Sequence, residues 1–235
     1  MIVDITVVAH AEEAARLVAE RLAEQTSTGG SIVLTGGSTP RHAYELAAEL
    51  EPDWSRVELW WGDERCVPPD DERSNYGMAK AALLDRLEVE PAAVHRMRGE
   101  LGRDAGASEY DEEAAYLRVG TFDLVLLGVG SHGHVASLFP DFPTLDMRNR
   151  DVVGSEAGHE PFVDRISMTV TRLCATRELL FLVTGEDKAD AVARALTGEP
   201  SHATPGSLVR AAEGTTRAVL DRAAAAKLDE TALNR

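Results

Sequence analysis

Two histidines stand in a glycine-rich segment near the middle of the chain, where residues 128–140 read GVGSHGHVASLFP. The residues just before it, 122–127, have the mostly apolar pattern of a short buried strand. Ligands of α/β proteins bind in the crevice at the carboxyl ends of such strands. Because histidine titrates near neutral pH, a histidine in this turn is suited to activate water as a general base. His132 and His134 are therefore the first candidates for chemistry.

The same segment also matches the fingerprint of a dinucleotide-binding turn. Gly128, Gly130 and Gly133 give the spacing G-x-G-x-x-G after a strand. That fingerprint opens a long helix, whereas Pro140 and Pro143 end any helix within about two turns. A nicotinamide enzyme is thus an alternative that the early prolines argue against.

Two further kinds of site fit parts of this segment. A pair of histidines can bind a metal ion, but no carboxylate or thiolate at a metal-binding spacing accompanies His132 and His134. A nucleophile at Ser131 or Ser137 would call for the G-x-S-x-G elbow, which the sequence lacks. We therefore expect no metal ion at these histidines.

A second glycine turn, GGSTP at 36–40, follows the strand-like run 31–35. Thr39 is suited to an N-cap and Pro40 to the first helical position, so a helix is predicted to begin here. The free N–H groups of a helix N-terminus can bind phosphate. The sequence also fits an ordinary strand-to-helix turn, and it is not a Walker loop because no Gly-Lys-Ser/Thr follows. The candidate phosphate-binding residues are Gly36, Gly37, Ser38 and Thr39.

Charged residues flank three other strand-like runs. Asp63 and Arg65 follow the run 57–61 and can serve as an acid/base group and an anion clamp, or form a solvated charged turn. Arg165 precedes the run 166–170, and Lys188 follows the run 179–184. Arginine grips a phosphate through two N–H groups and lysine adds a point charge. These residues are candidates for holding an anionic ligand.

Composition narrows the class of partner. The formal net charge of −16 argues against nucleic-acid binding, which requires a basic face. The opening residues MIVDITVVAHAEEAA contain neither a basic segment nor a long apolar stretch, so we expect no export, no membrane insertion and a cytoplasmic location. Cys66 and Cys174 are too few and too distant for a disulfide scaffold and are expected to be free thiols.

Strand-like runs alternate with helical patterns along most of the 235 residues. This alternation predicts an α/β fold with a mostly parallel sheet and helices on both faces, in a single domain spanning 1–235. Residues 197–215 are predicted to form a long surface loop. The predicted strands are 5–9, 31–35, 57–61, 122–127, 166–170 and 179–184. The predicted helices are 11–25, 40–50, 76–87, 107–117, 188–196 and 223–228.

Five blocks together resemble the 6-phosphogluconolactonase family in its bacterial single-domain form. They occur in family order and span nearly the whole chain. The blocks are LTGGSTP at 34–40, WWGDERCVPPDDERSNYGM at 60–78, FDLVLLGVGSHGHVASLFP at 122–140, RISMT at 165–169 and LFLVTGEDKADAV at 180–192. The resemblance implies a modified Rossmann-like three-layer fold, similar to that of the glucosamine-6-phosphate deaminases.

The resemblance also implies an activity and roles for particular residues. The activity is hydrolysis of 6-phospho-D-glucono-1,5-lactone to 6-phospho-D-gluconate in the pentose phosphate pathway, without a metal or cofactor. His134 would be the general base, and Asp63 the acid of the GDER block. Substrate phosphate contacts would fall on residues 37–39, Arg165 and Lys188. The expected partner is this sugar-phosphate lactone, and the expected assembly is a monomer or a small homo-oligomer.

Two positions depart from the family pattern. His132 stands where the family usually has the Asp of Asp-Gly-His, and it would have to orient the sugar or the base through a different hydrogen bond. Arg217 stands where many relatives have an aromatic residue. Two other function classes stay open: an amino-sugar-phosphate deaminase or isomerase, and a sugar-phosphate-binding protein with weakened catalysis.

Overall fold

A computed structural model describes residues 3–51 and 53–229, and a sheet of seven parallel strands forms its centre. In chain order its strands are β1 (Val3–Val8), β2 (Gly30–Leu34), β3 (Val57–Trp61), β5 (Ala93–Val94), β6 (Phe122–Leu127), β9 (Thr176–Val183) and β10 (Thr215–Asp221). A separate antiparallel sheet contains β4 (Asp63–Arg65), β7 (Val152–Ser155) and β8 (Arg165–Met168). The order across the main sheet is β1-β10-β9-β6-β2-β3-β5.

Helices cover both faces of the main sheet. One buried cluster joins Leu124 and Leu126 of β6 to the first three helices, and the other joins Val125 and Leu127 to the last three. Because successive strand residues point to opposite faces, this alternation gives a three-layer α/β/α arrangement, as predicted. The helices are α1 (Ala11–Thr28), α2 (Ser38–Leu50), α3 (Asn75–Ala82), α4 (Arg103–Tyr116), α5 (Val170–Cys174) and α6 (Ala189–Thr197).

The order of the strands creates a crevice between β2 and β6, which are neighbours in the sheet. After β2 the chain moves outward to β3 and β5, and it returns to β6 before continuing to β9 and β10 on the other side. The connections that follow β2 and β6 therefore diverge at the carboxyl ends of these strands. In open α/β sheets this reversal of strand order is where ligands bind.

The small sheet corrects one prediction. Residues 166–170 are not a strand of the main sheet: β8 pairs with β4 and β7, and Val170 begins α5. A short run buried on both faces carries no periodicity that identifies its partner strands.

The carboxyl-terminal part corrects two more predictions. Residues 198–214 are mostly irregular, as expected, with one 3-10 turn at Pro205–Ser207, but they are not purely surface, since Pro205, Ser207 and Val209 are buried. The strand β10 begins at Thr215, at the end of the segment that the sequence predicts as a loop. Residues 222–227 form consecutive turns, where the sequence predicts a helix over 223–228. Among the described residues, no helix has the length and apolar composition needed to cross a membrane.

Candidate active site

A cleft of about 320 Å³ lies at the carboxyl ends of β2, β6 and β9, at the reversal of strand order. The structure thus brings together side chains from four separate blocks of the sequence. The predicted site residues that line this cleft are Gly36, Gly37, Ser38, Thr39, Asp63, Arg65, His134 and Lys188.

The N-terminus of α2 forms one wall of the cleft. The helix begins at Ser38, and Gly37, with φ of 113°, is its N-cap, so Thr39 lies inside the helix rather than capping it. In the described chain no side chain caps this terminus, and its first turn contains no acidic residue. The N–H groups and the positive end of the helix dipole are therefore available to an anion. The Thr39 hydroxyl hydrogen-bonds the Thr184 hydroxyl at 2.8 Å, which joins this helix to the end of β9.

Two cationic side chains line the cleft near this helix. Lys188 ends a short 3-10 turn after β9, and its Nζ lies 2.6 Å from Oδ2 of Asp187. The buried Asp221 carboxylate accepts a hydrogen bond of 3.1 Å from the N–H of Gly185 and so fixes the start of this turn. Arg65 lies at the end of β4, where its Nη1 donates to the carbonyl of Arg73. The cleft thus combines a helix N-terminus with an ammonium and a guanidinium group.

Asp63 is held in one orientation. Its carboxylate is buried, accepting 2.6 Å from the Ser137 hydroxyl and 3.1 Å from Nδ2 of Asn75. Asn75 itself lines the cleft and was not among the predicted site residues. Its Oδ1 is buried with no hydrogen-bond partner among the described residues, and a Cβ at Gly36 would lie 2.0 Å from it. Only glycine fits at position 36 beside this amide.

Glu64 fixes the link between β4 and α3. Although only 2% exposed, its carboxylate accepts four hydrogen bonds. Burial raises the pKa of this carboxyl, while the four donors favour its anionic form. Through these bonds Glu64 positions Asn75 and Arg65 at the cleft. The donors are the N–H groups of Arg65, Asn75 and Tyr76 and the hydroxyl of Ser74.

The imidazole of His134 lies in the wall of the cleft. It packs directly on Gly130, where a Cβ would lie 1.9 Å from Cε1 of the ring. Burial, and to a smaller extent the neighbouring basic side chains, lower the pKa of His134 to about 4. Its buried Nδ1 has no hydrogen-bond partner among the described residues. The ring is therefore neutral at pH 7 and able to accept a proton.

Two predicted site residues do not line the cleft. Arg165 is only 3% exposed, and its Nη2 donates to the carbonyls of Pro161 at 2.8 Å and His159 at 3.3 Å. His132 is exposed, and its ring centroid lies 4.9 Å from that of His159. Arg165 therefore holds the loop before β8 instead of lining the cleft. His132 lies beside His159, which was not among the predicted site residues. No local pattern marks His159, because it is 25 residues beyond His134 in an irregular loop.

The turn after β6 lacks the structural context of a dinucleotide site. Residues 128–142, all described, form turns and a single short bridge, and the next helical turn is the 3-10 segment Pro143–Asp146. A dinucleotide fingerprint requires a helix whose N-terminus faces the pyrophosphate. The spacing of glycines in this turn thus serves another purpose, which for Gly130 is the close approach of His134.

Comparison with known proteins decides the family. Residues 6–218 match the family described as glucosamine-6-phosphate isomerases/6-phosphogluconolactonase. The chain belongs to this family. A 6-phosphogluconolactonase of Streptomyces coelicolor is 41% identical over 92% of this chain and 88% of its own length, and one of Mycobacterium leprae is 42% identical over 84% of each. The family assignment made from the sequence is confirmed.

The fold agrees with this assignment. A solved structure of 6-phosphogluconolactonase from Trypanosoma cruzi superposes with a TM-score of 0.86, at 25% sequence identity, and covers 97% of this chain and 98% of its own. The predicted α/β class is therefore confirmed, and so is the expectation of an enzyme. The named relatives are lactonases, which are hydrolases.

Proposed function

We propose that the protein hydrolyses 6-phospho-D-glucono-1,5-lactone to 6-phospho-D-gluconate. The observation that supports this most directly is a neutral imidazole that shares one cleft with an uncapped helix N-terminus and a lysine. The first group can take a proton from water, and the other two can hold a phosphate. A phosphorylated substrate with a hydrolysable carbonyl needs both.

The phosphate binds first, between the N-terminus of α2 and Lys188. Binding fixes the lactone carbonyl beside a water molecule held by His134. Because a δ-lactone is already reactive, positioning and one base can supply most of the acceleration. Asp63, locked by Ser137 and Asn75, offers its remaining lone pairs to a sugar hydroxyl.

His134 accepts a proton from water as the water oxygen bonds to C1. The resulting tetrahedral oxyanion is stabilised by backbone N–H groups of the 128–134 turn or by Arg65. When the bond between C1 and the ring oxygen breaks, the imidazolium returns its proton to that oxygen. This transfer leaves His134 neutral again, and the product acid then ionises by losing the second hydrogen of the attacking water.

The decisive experiment is a lactone-hydrolysis assay corrected for spontaneous ring opening. We expect enzymatic hydrolysis of the 6-phosphorylated lactone at a kcat/KM far above that for glucono-1,5-lactone. Ammonia release from glucosamine 6-phosphate would instead indicate the deaminase branch of the family. A thermal shift with 6-phosphogluconate, without hydrolysis of the lactone, would indicate a sugar-phosphate-binding protein.

The cellular setting belongs to the same proposal. We propose a single-domain cytoplasmic enzyme of the pentose phosphate pathway, acting as a monomer or a small homo-oligomer. Light scattering coupled to gel filtration measures the assembly directly.

A further inference from the structure

A second cavity, of about 430 Å³, adjoins the cleft, and His134 lines both. Its wall contains two more histidines, His132 from the turn after β6 and His159 from the loop before β8. The ring centroid of His159 lies 4.9 Å from that of His132 and 5.8 Å from that of His134. Three imidazoles therefore cluster on the side of the site that the phosphate-binding groups do not occupy.

The two additional imidazoles have their Nδ1 atoms engaged. Nδ1 of His132 lies 3.4 Å from the Ser131 hydroxyl, and Nδ1 of His159 lies 3.0 Å from the carbonyl oxygen of Glu160. Since a carbonyl only accepts, Nδ1 of His159 carries the hydrogen and the neutral ring has a lone pair at Nε2. Neither Nε2 hydrogen-bonds another described residue. His159 can therefore donate from Nε2 only after taking up a proton.

The charges around this cluster of histidines favour the binding of an anion. The basic groups that lower the pKa of His134 lie on the turn after β6, on the loop before β8, on β8 itself and on the turn after β9, in a chain whose net charge is −16. The acidic residue that lines the cavity, Glu160, is exposed. A cluster of basic groups in so acidic a protein indicates an anionic ligand. The basic groups facing His134 are His132, His159, Arg165 and Lys188.

We propose that His132 and His159 bind the carboxylate that ring opening creates at C1. The proposal rests on the proposed lactonase function and extends its site beyond His134. Of the two hydrogens of the attacking water, one passes through His134 to the ring oxygen. The other belongs to the product acid and passes to Nε2 of His159. The resulting imidazolium then pairs with the carboxylate, with His132 beside it.

Calorimetric titration with two ligands tests whether His132 and His159 form this subsite for the C1 carboxylate. Both 6-phosphogluconate and glucitol 6-phosphate carry the phosphate, but only the first carries a carboxylate at C1. Titrations of the full chain at neutral pH, in two phosphate-free buffers of different ionisation enthalpy, give the protons taken up with each ligand. The wild type should take up more protons with 6-phosphogluconate than with glucitol 6-phosphate.

Variants of the two histidines separate the subsite from general folding effects. His159→Gln and His132→Gln should each raise the Kd of 6-phosphogluconate about tenfold, the loss expected for one charged hydrogen bond. The Kd of glucitol 6-phosphate should change less than twofold, and the excess proton uptake should disappear in His159→Gln. The matched control is His42→Gln, on α2, where the imidazole pairs with Glu12; it should leave both ligands unchanged.

Three results would overturn the subsite. They are equal weakening of both ligands, an unchanged Kd for 6-phosphogluconate in both variants, and equal proton uptake with the two ligands in the wild type. Lactone turnover is measured separately. A protein that shows the ligand difference without hydrolysing the lactone contradicts the proposed function alone, whereas one that hydrolyses the lactone without the difference contradicts the subsite alone.

Discussion

The position of one imidazole sets the chemistry available at the residue scale. His134 rests on the Cα of Gly130, in a place where a side chain on that residue could not fit. Burial there removes water from the ring and holds the pKa of His134 at about 4. A base of low pKa is weak but fully available at neutral pH, which suits a lactone that is already activated.

Replacing His134 tests its role as the base. We expect His134→Ala to lower kcat about 10²-fold to 10⁴-fold, the range for removal of a general base, with little change in KM. Stopped-flow measurement of proton release on the phosphorylated lactone gives both constants. A wild-type kcat in this variant would mean that another residue is the general base.

The pH dependence of kcat/KM tests the protonation state directly. Because the pKa of His134 is lowered, the ring is neutral above about pH 5 and becomes charged as the pH falls through about 4. Activity should therefore be level from pH 8 to 5 on glucono-1,5-lactone and fall tenfold per pH unit below 4. The unphosphorylated substrate avoids the ionisation of the phosphate near pH 6. A midpoint near 6.5 with this substrate would mean that His134 is not held neutral by burial.

Lys188 is expected to act on the phosphate rather than on the lactone. Lys188→Ala should raise KM for the phosphorylated lactone at least tenfold and change KM for glucono-1,5-lactone less than twofold, because a charged hydrogen bond contributes about 1.5–3 kcal/mol. Lys227→Ala is the matched control, since this exposed lysine pairs with Asp190 and does not line the cleft. An equal rise of KM for both substrates would contradict a role of Lys188 in binding the phosphate.

At the scale of elements, the carboxyl ends of parallel strands explain why much of the site was predictable. GGSTP follows β2, GVGSHGH follows β6 and TGEDK follows β9, and parallel pairing brings these ends to one edge. A strand-end position therefore predicts a neighbourhood even when strand order is unknown. The rest of the prediction came from the five blocks that resemble the 6-phosphogluconolactonase family and occur in family order.

Contacts made by irregular segments were not predictable. Arg165 precedes a strand-like run, so the sequence places it at a sheet edge, but its hydrogen-bond partners lie in the loop 158–164. Whether a side chain turns toward the cleft or beneath it depends on pairing between β4 and β8, which no periodicity encodes. His159 was missed for the same reason. The strand β10, which opens with two threonines and an arginine, was not among the predicted strands either.

Glu64 makes α3 and β4 one unit, and its removal should show in stability. Glu64→Ala leaves several buried donors without an acceptor, so we expect the free energy of unfolding to fall by about 3 kcal/mol. Urea denaturation followed by circular dichroism measures this. Glu72→Ala, at an exposed acid of the intervening loop, should change it by less than about 0.5 kcal/mol. Similar losses in both variants would show that the four hydrogen bonds do not anchor the helix.

At the scale of the whole molecule, the site lies at the rim of a sheet that separates two cores. Leu22 of α1 belongs to the core on one face, and Leu173 of α5 belongs to the core on the other. Since β-strands buried on both faces lie between them, the two leucines share no packing cluster. Stability is thus divided between two layers, while the chemistry depends on turns at one edge.

This division predicts additive losses. Leu22→Ala and Leu173→Ala should each lower the free energy of unfolding by about 3 kcal/mol, because both side chains are fully buried and truncation leaves a cavity. The double variant should lose the sum to within about 0.5 kcal/mol, as expected for sites without shared partners. Chemical denaturation at 25 °C gives the three values, with lactone hydrolysis measured on the same samples. If the double variant loses less than the sum by more than about 1 kcal/mol, the two faces of the sheet are coupled. A change in either core would then also affect the turns that carry His134.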